Sequence, residues 1–337
     1  MLITLSKNAS SSEVNEVRKL LDAEGVRHCI SESEDNTVVG IEGNLSEEIS
    51  KALKDLPSIE NLKEVSTPYK MASLSAKSEP TIVRLGDAII GGGHVVLIAG
   101  PCAIESEKQL IEVAEELKKS GVKILRASAF KPRSSPYSWQ GLGEEGLKMH
   151  KRAKETHGLL IESEVMDPRD VPMTAEHVDI LRIGARNMQN FDLLKEVGKT
   201  SKPVILKRGM SATIEEWLMS AEYIMAHGNH QVILCERGIR TFENATRSTL
   251  DLSSVAILRT LTHLPVIVDP SHAAGRGDII PALSKASIAV GADGLLIEVH
   301  PNPRESRCDA RQALSPKEFK SLAEEVKVIA KVTQRRV

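Results

Sequence analysis

A chain of 337 residues with a formal charge of −2 and only 3% aromatic side chains lacks the basic field that draws a protein onto nucleic acid and the aromatic platform that stacks single strands. With 41% hydrophobic and 27% charged residues it has the composition of a soluble globular protein, long enough for one large domain and a small one. No apolar run approaches the ~20 residues of a membrane helix, the opening MLITLSKNASSSE has no secretory pattern, and Cys29, Cys102, Cys235 and Cys308 form no close pair, so a reducing, cytoplasmic setting is expected.

Residues 1–66 predict a small α+β unit. Residues 2–5 read as a short strand. Ser11 or Ser12 can cap a helix on which Val14, Val17, Leu20 and Leu21 keep helical spacing, and Gly25 ends it. Residues 26–30 and 37–41 predict two strands around an acidic turn from Glu32 to Asn36. Ser46 caps a second helix carrying Ile49, Ala52, Leu53 and Leu56, Pro57 ends it, and residues 59–65 supply a fourth strand. The order βαββαβ is the ferredoxin-like pattern. Such a module binds a small ligand, mediates pairing or only assists assembly. Residues 67–80, with Pro68, Ser73, Ser75, Ser78 and Pro80, form a polar linker. Residues 82–90 alternate around Gly86 and Asp87 as a hairpin able to plug one end of the following domain.

Within residues 81–337 one pattern repeats. Apolar runs recur at 95–99, 122–125, 159–161, 178–183, 203–206, 231–234, 265–268 and 294–297. Their β-branched, non-alternating character suits parallel strands buried on both faces. Helical patterns separate most of them. Thr213 and Glu216 form a capping box ahead of Trp217, Leu218, Ala221, Ile224 and Met225. Ser315, Pro316 and Glu318 open a last helix in the same way. Eight strand–helix units in about 240 residues match the period of a (β/α)8 TIM barrel. An open doubly wound sheet would call for a glycine-rich dinucleotide turn after an early strand, and the chain has none.

Barrel enzymes place their chemistry where strands end, and here a reactive or charged side chain follows every strand. A charge beside a buried strand is costly unless it is paired or meets a ligand. The residues sort into two sets. Arg126, Lys131, Arg186, Lys207 and Arg237, with Arg133 beside them, are cations that would repel in one mouth unless a multiply charged anion such as phosphate joined them. The segment 124–143, ILRASAFKPRSSPYSWQGLG, is the centre of this set, because Pro132 fixes the backbone between Lys131 and Arg133. Each cation could instead pair with Glu162, Glu164 or Glu236. Cys102, His272, Glu298 and Asp309 form the second set, near strands one, seven and eight, which become neighbours when a barrel closes. One thiolate, one imidazole and two carboxylates suit a divalent metal ion: Mn, Fe, Co, Zn or Cu.

On the motifs AGPC (99–102), KPRSSPYSWQGLG (131–143), IGARNMQNF (183–191), LKRG (206–209), CERGIRTFE (235–243), VDPSH (268–272) and EVHPNP (298–303), the chain resembles the 3-deoxy-D-arabino-heptulosonate 7-phosphate (DAHP) synthases, in the class with an N-terminal ferredoxin-like regulatory domain. The resemblance implies condensation of phosphoenolpyruvate with erythrose 4-phosphate, the first step of the shikimate pathway, with a divalent metal. It implies metal ligands at Cys102, His272, Glu298 and Asp309. Phosphoenolpyruvate contacts fall at Arg126, Lys131, Ala185, Arg186, Lys207 and Arg237, and erythrose 4-phosphate contacts at Arg133, Ser134 and Arg276. Lys131, Cys102 and His272 are its catalytic positions. It further implies feedback by tyrosine or phenylalanine at the N-terminal domain, and a homotetramer. Ala127-Ser128, in place of the family's usual glycine pair, Ala273-Ala274 and Cys308 depart from the pattern. A related octulosonate 8-phosphate synthase, using arabinose 5-phosphate, usually carries Lys-Ala-Asn-Arg where this chain has Lys131-Pro132-Arg133. A non-catalytic amino-acid sensor is the reading from another class.

Overall fold

The computed structural model describes residues 1–32, 37–133 and 135–337. The acidic turn expected at 32–36 therefore lies mostly outside the described residues. The chain begins with β1 (Leu2–Leu5), α1 (Ser11–Glu24), β2 (His28–Glu32), β3 (Thr37–Ile41), α2 (Glu47–Lys54) and β4 (Ile59–Lys63). These strands form an antiparallel sheet in the order β2-β3-β1-β4, with a core of Ile3, Leu5, Val14, Val17, Leu21, Val39, Ile41 and Leu53. The cap of α1 is Ser10 rather than Ser11 or Ser12, because Glu13 sits at the third helical position and closes a reciprocal box with it.

The expected polar linker is held more tightly than its Ser/Pro content suggests. The Glu222 carboxylate accepts the backbone N–H groups of Lys70, Met71 and Ala72 at 3.0, 2.8 and 3.0 Å. Tyr69, Met71 and Ala72 are buried. The ferredoxin-like unit is tied to the same corner: Ser31 Oγ donates to the Met225 carbonyl at 2.5 Å and lies 2.9 Å from His230 Nε2. Buried His263 closes the junction, with Nε2 2.8 Å from the Met71 carbonyl and Nδ1 2.8 Å from Thr81 Oγ1. Burial pushes its imidazole down to about 4 from an ordinary 6.5. Between those values the unfolded chain takes up a proton that the folded chain refuses, so stability falls as pH drops from about 6.5 to about 4. The expected loss is about 3 kcal/mol. Denaturant unfolding of wild type and His263→Gln across that window checks it, the variant showing the shallower slope.

A hairpin, β5 (Val83–Leu85) and β6 (Ala88–Ile90), comes next. The barrel follows as β7 (Val96–Gly100), α3 (Glu107–Lys119), β8 (Ile124–Arg126), α4 (Glu144–His157), β9 (Leu160–Val165), α5 (Val171–His177), β10 (Ile180–Ile183), α6 (Phe191–Gly198), β11 (Val204–Lys207), α7 (Ile214–Met225), β12 (Val232–Glu236), α8 (Leu252–Leu261), β13 (Val266–Val268), α9 (Pro270–Ala274), α10 (Ile280–Ala289), β14 (Gly294–Glu298) and α11 (Pro316–Val332). All its strand pairs are parallel, and β14 closes on β7. Val83, Ala88 and Ile90 of the hairpin pack with Val96, Ile98, Ile124, Ile205 and Ile267, so the hairpin seals the end where strands begin. The opposite end, where strands finish, stays open. Gly100 makes one tight join there: at φ 152° it lies so close to β8 that a Cβ would sit 2.0 Å from the Arg126 carbonyl. No helix among the described residues is long and apolar enough to cross a membrane.

Candidate active site

Closure of β14 on β7 brings together residues more than 200 positions apart in sequence. Cys102 follows β7, His272 lies on α9, Glu298 ends β14 and Asp309 sits in the loop beyond. One donor atom from each falls within 4.8 Å of all the others. Asp309 Oδ2 is 3.3 Å from Cys102 Sγ and 3.8 Å from His272 Nε2, which is 3.3 Å from Glu298 Oε1. His272 Nδ1 is 2.7 Å from Asp269 Oδ2 and donates to it, leaving the Nε2 lone pair aimed at the cluster. Burial pushes His272 down to about 4, so it is neutral near pH 7, as a ligand must be. Glu298 is held well below the usual carboxylate range: burial opposes this, but neighbouring His272 and Arg126 prevail. The Cys308 sulfur 3.2 Å away, together with burial, raises the Cys102 thiol, while Lys131 Nζ lies 3.0 Å from the same sulfur. These donors fit a divalent ion. Outer partners orient them, as in metal sites generally: Asp269 for His272, and Gln312, which donates to Glu298 Oε2 at 2.7 Å.

Beside this cluster opens a cavity of about 310 Å³ lined by Lys131, Arg133, Ser135, Glu164, Arg182, Ala185, Arg186, Lys207, Arg237, Arg247, His272 and Asp309, among others. Seven cations face two carboxylates. Part of that charge is neutralised from behind. Lys207 pairs with Asp269, and Arg182 binds Glu162 at 2.6 Å. Among the described residues, Arg133, Arg186 and Arg237 have no carboxylate within salt-bridge reach. Arg237 is instead aimed by neutral acceptors, Ser248 Oγ and the His272 carbonyl, both at 3.1 Å. Gly184 permits the close packing of this wall, since a Cβ there would sit 2.1 Å from Glu164 Oε1. Such a mouth, buried and in excess of positive charge, is built for a small, multiply charged anion.

Among the residues singled out in the sequence, Lys131, Arg133, Ala185, Arg186, Lys207, Arg237, His272 and Asp309 line the cavity. Arg126 does not. It is fully buried and holds Glu298 Oε1 at 2.7 Å. Arg276 does not line it either; its exposed guanidinium is spent on Asp278 at 2.7 and 2.6 Å. Ser134 lies outside the described residues. Ala127 and Ser128 are buried away from the cavity, and Ser128 Oγ accepts from Arg182 Nη2 at 2.6 Å, so this departure is absorbed inside the wall. The pairing of cations with Glu162 and Glu236 is made by residues the sequence reading passed over, Arg182 and Arg208. Arg182 could have been found as an arginine inside the apolar run 178–183. Asp269 was marked only as the end of strand seven, and Arg247 and Gln312 carried no comparable mark.

Fold and site together define a (β/α)8 barrel with a four-donor cluster beside an anion-binding mouth. Residues 68–335 match the DAHP synthetase I family and residues 1–67 match the DAHP synthase ferredoxin-like domain; the chain belongs to this family. It is 46% identical over 330 residues to the phospho-2-dehydro-3-deoxyheptonate aldolase of Thermotoga maritima, covering 98% of both chains. The crystal structure of a phospho-2-dehydro-3-deoxyheptonate aldolase (DAHP synthase) from that organism superposes with a TM-score of 0.80 at 45% identity, covering 100% of this chain and 98% of the other. More distant is a 2-dehydro-3-deoxyphosphooctonate aldolase of Syntrophotalea carbinolica, 33% identical over 272 residues, which span 74% of this chain and 96% of that one.

Proposed function

We propose that this chain condenses phosphoenolpyruvate with erythrose 4-phosphate, releasing phosphate and DAHP. The observation that carries the reading is the four-donor cluster opening onto a mouth lined by seven cations and two carboxylates. Arg186, Lys207 and Arg237 face the cavity and would take the phosphate and carboxylate of phosphoenolpyruvate, with Ala185 beside them and Arg126 supporting from beneath. Arg133 and Ser134 would anchor the phosphate of the aldose. Arg276 could join them only by leaving Asp278. Cys102, His272, Glu298 and Asp309 would hold a divalent ion, which when bound supplies Lewis-acid polarisation of the aldehyde. A bond then forms between C3 of phosphoenolpyruvate and the aldehyde carbon. Lys131 Nζ delivers a proton to the developing alkoxide, water adds at C2, and phosphate departs with C–O cleavage. Confining both substrates between these walls contributes up to about 7–11 kcal/mol by orientation.

The choice of aldose rests on Lys131-Pro132-Arg133. Phosphate release with erythrose 4-phosphate is expected to exceed that with arabinose 5-phosphate by at least about 100-fold, the order that distinct polar contacts to one sugar supply. The reverse ratio would make the chain an octulosonate 8-phosphate synthase, and no release with either sugar would favour a non-catalytic sensor. The division into residues 1–66, 67–80 and 81–337, a tyrosine or phenylalanine feedback site on the first of these, and a homotetramer belong to the same proposal. Inhibition by one of the two amino acids that disappears on removing residues 1–66 is the expected outcome.

A further inference from the structure

Asp309 is unusual among the cluster residues. It adopts φ 59° and ψ 30°, a left-handed backbone that among the described non-glycine residues only Gln334 shares. Such a conformation persists where the surroundings over-determine it. Two residues outside the four-donor set do so. Arg247 Nη1 donates to Asp309 Oδ1 and to Gln312 Oε1, each at 3.1 Å. Buried Gln312 in turn donates through Nε2 to Glu298 Oε2 at 2.7 Å, and its backbone N–H donates to the Asp309 carbonyl at 3.0 Å. One guanidinium therefore reaches two of the four donors, one directly and one through an amide.

The same arginine is fastened to the segment that carries His272. Its backbone N–H donates to the Ala274 carbonyl at 3.0 Å, and the next N–H, of Ser248, donates to the Ala273 carbonyl at 2.9 Å. Gly275 lies so close beneath that a Cβ there would come within 2.5 Å of Arg247 Cβ. Arg247 thus spans three loops, those after β12, β13 and β14. With Oδ1 of Asp309 held by Arg247 Nη1, Oδ2 is the oxygen turned to Cys102 and His272.

We propose that Arg247 and Gln312 are a positioning clamp that fixes Asp309 and Glu298 for the metal; this rests on the four-donor reading above. A cation beside a metal site also repels the ion. Orientation outweighs that repulsion here, because the guanidinium is about one-third exposed and its charge is already met by Asp309.

The test is cobalt(II) titration of the metal-stripped full chain, with affinity read by chelator competition and the thiolate-to-cobalt absorption band as signature. Arg247→Gln is expected to weaken binding by about 10- to 100-fold, as loss of an outer partner does, while keeping the thiolate band at saturation. Arg247→Lys keeps the charge but, with a shorter reach, loses the Nη1 bridge between Asp309 and Gln312 in part, and falls between. Gln312→Leu weakens binding by less than Arg247→Gln, and the double variant loses less than the product of the two. Unchanged or tighter binding in both Arg247 variants, with only the Michaelis constant of the aldose raised, would make Arg247 a substrate contact and overturn the clamp. Should Arg247→Gln not fold, Arg247→Lys and Gln312→Leu decide alone. Absence of the thiolate band in wild type would remove the four-donor reading, and the clamp with it.

Discussion

Cys102→Ala is expected to abolish turnover while leaving the fold intact. The sulfur is buried inside the site, with Asp309 Oδ2 at 3.3 Å, Cys308 Sγ at 3.2 Å and Lys131 Nζ at 3.0 Å. Removing it deletes one of four donors, so the loss should exceed the roughly 10- to 100-fold that follows from deleting an outer partner. Stability should change little. Alanine replaces a small buried group whose apolar neighbours include Ala103, Cys308 and Trp139, and Lys131 keeps its contact to the residue 102 carbonyl at 3.2 Å. Phosphate release and thermal unfolding measured on the same sample check both halves. Full turnover by the variant with added metal would show that the thiol is not an essential ligand.

Arg126→Met should be the most destabilising single change at the site. Arg126 and Glu298 form an ion pair at 2.7 Å with both side chains wholly inaccessible. Deleting one member leaves the other charge buried without its countercharge, which costs about 3–5 kcal/mol. Gln312 and His272 still touch Glu298, which places the expected loss at the lower end. The pH dependence has a definite sign. In wild type the depressed Glu298 pKa contributes stability present above the unfolded carboxyl value and lost as pH falls. In the variant Glu298 loses that support, so the gap between the two proteins should narrow from pH 7 toward pH 4. Denaturant unfolding at both pH values measures it. A gap below about 0.5 kcal/mol at pH 7, within the range of ordinary surface changes, would mean the pair carries no structural weight. Turnover should fall as well, because the arginine that holds Glu298, one of the four donors, is gone.

Much of this architecture was legible because parallel strands buried on both faces leave unbroken apolar runs, and because a strand that ends in Arg126, Lys207 or Glu298 announces the rim of a barrel. Capping boxes such as Thr213 with Glu216 and Ser315 with Glu318 were equally plain, and both are formed. Depth was not legible. Arg126 and Arg186 both follow strands, yet one is sealed against Glu298 and the other faces the cavity; only the side chain's neighbours across the barrel decide that. Arg276 and Asp278 are two residues apart, and their local pairing at 2.6 Å wins over any reach toward the mouth. Of the residues that aim the donors, Asp269 acts locally, three positions before His272, whereas Arg247 and Gln312 reach Asp309 and Glu298 across 62 and 14 positions and follow no spacing. The connector reads as loose because its composition is polar, whereas the Glu222 carboxylate, contributed by α7, gives three of its N–H groups a partner.

The central claim is that one ion held by Cys102, His272, Glu298 and Asp309 and two phosphorylated substrates share a single cup. Its most direct test is a titration of the metal-stripped full chain with one divalent ion at a time, following phosphate release from phosphoenolpyruvate and erythrose 4-phosphate. Activity should rise from near zero to a plateau at a single equivalent per chain, with phosphate matching the product formed. Undiminished activity in the stripped protein, or no phosphate release with any ion, would contradict it.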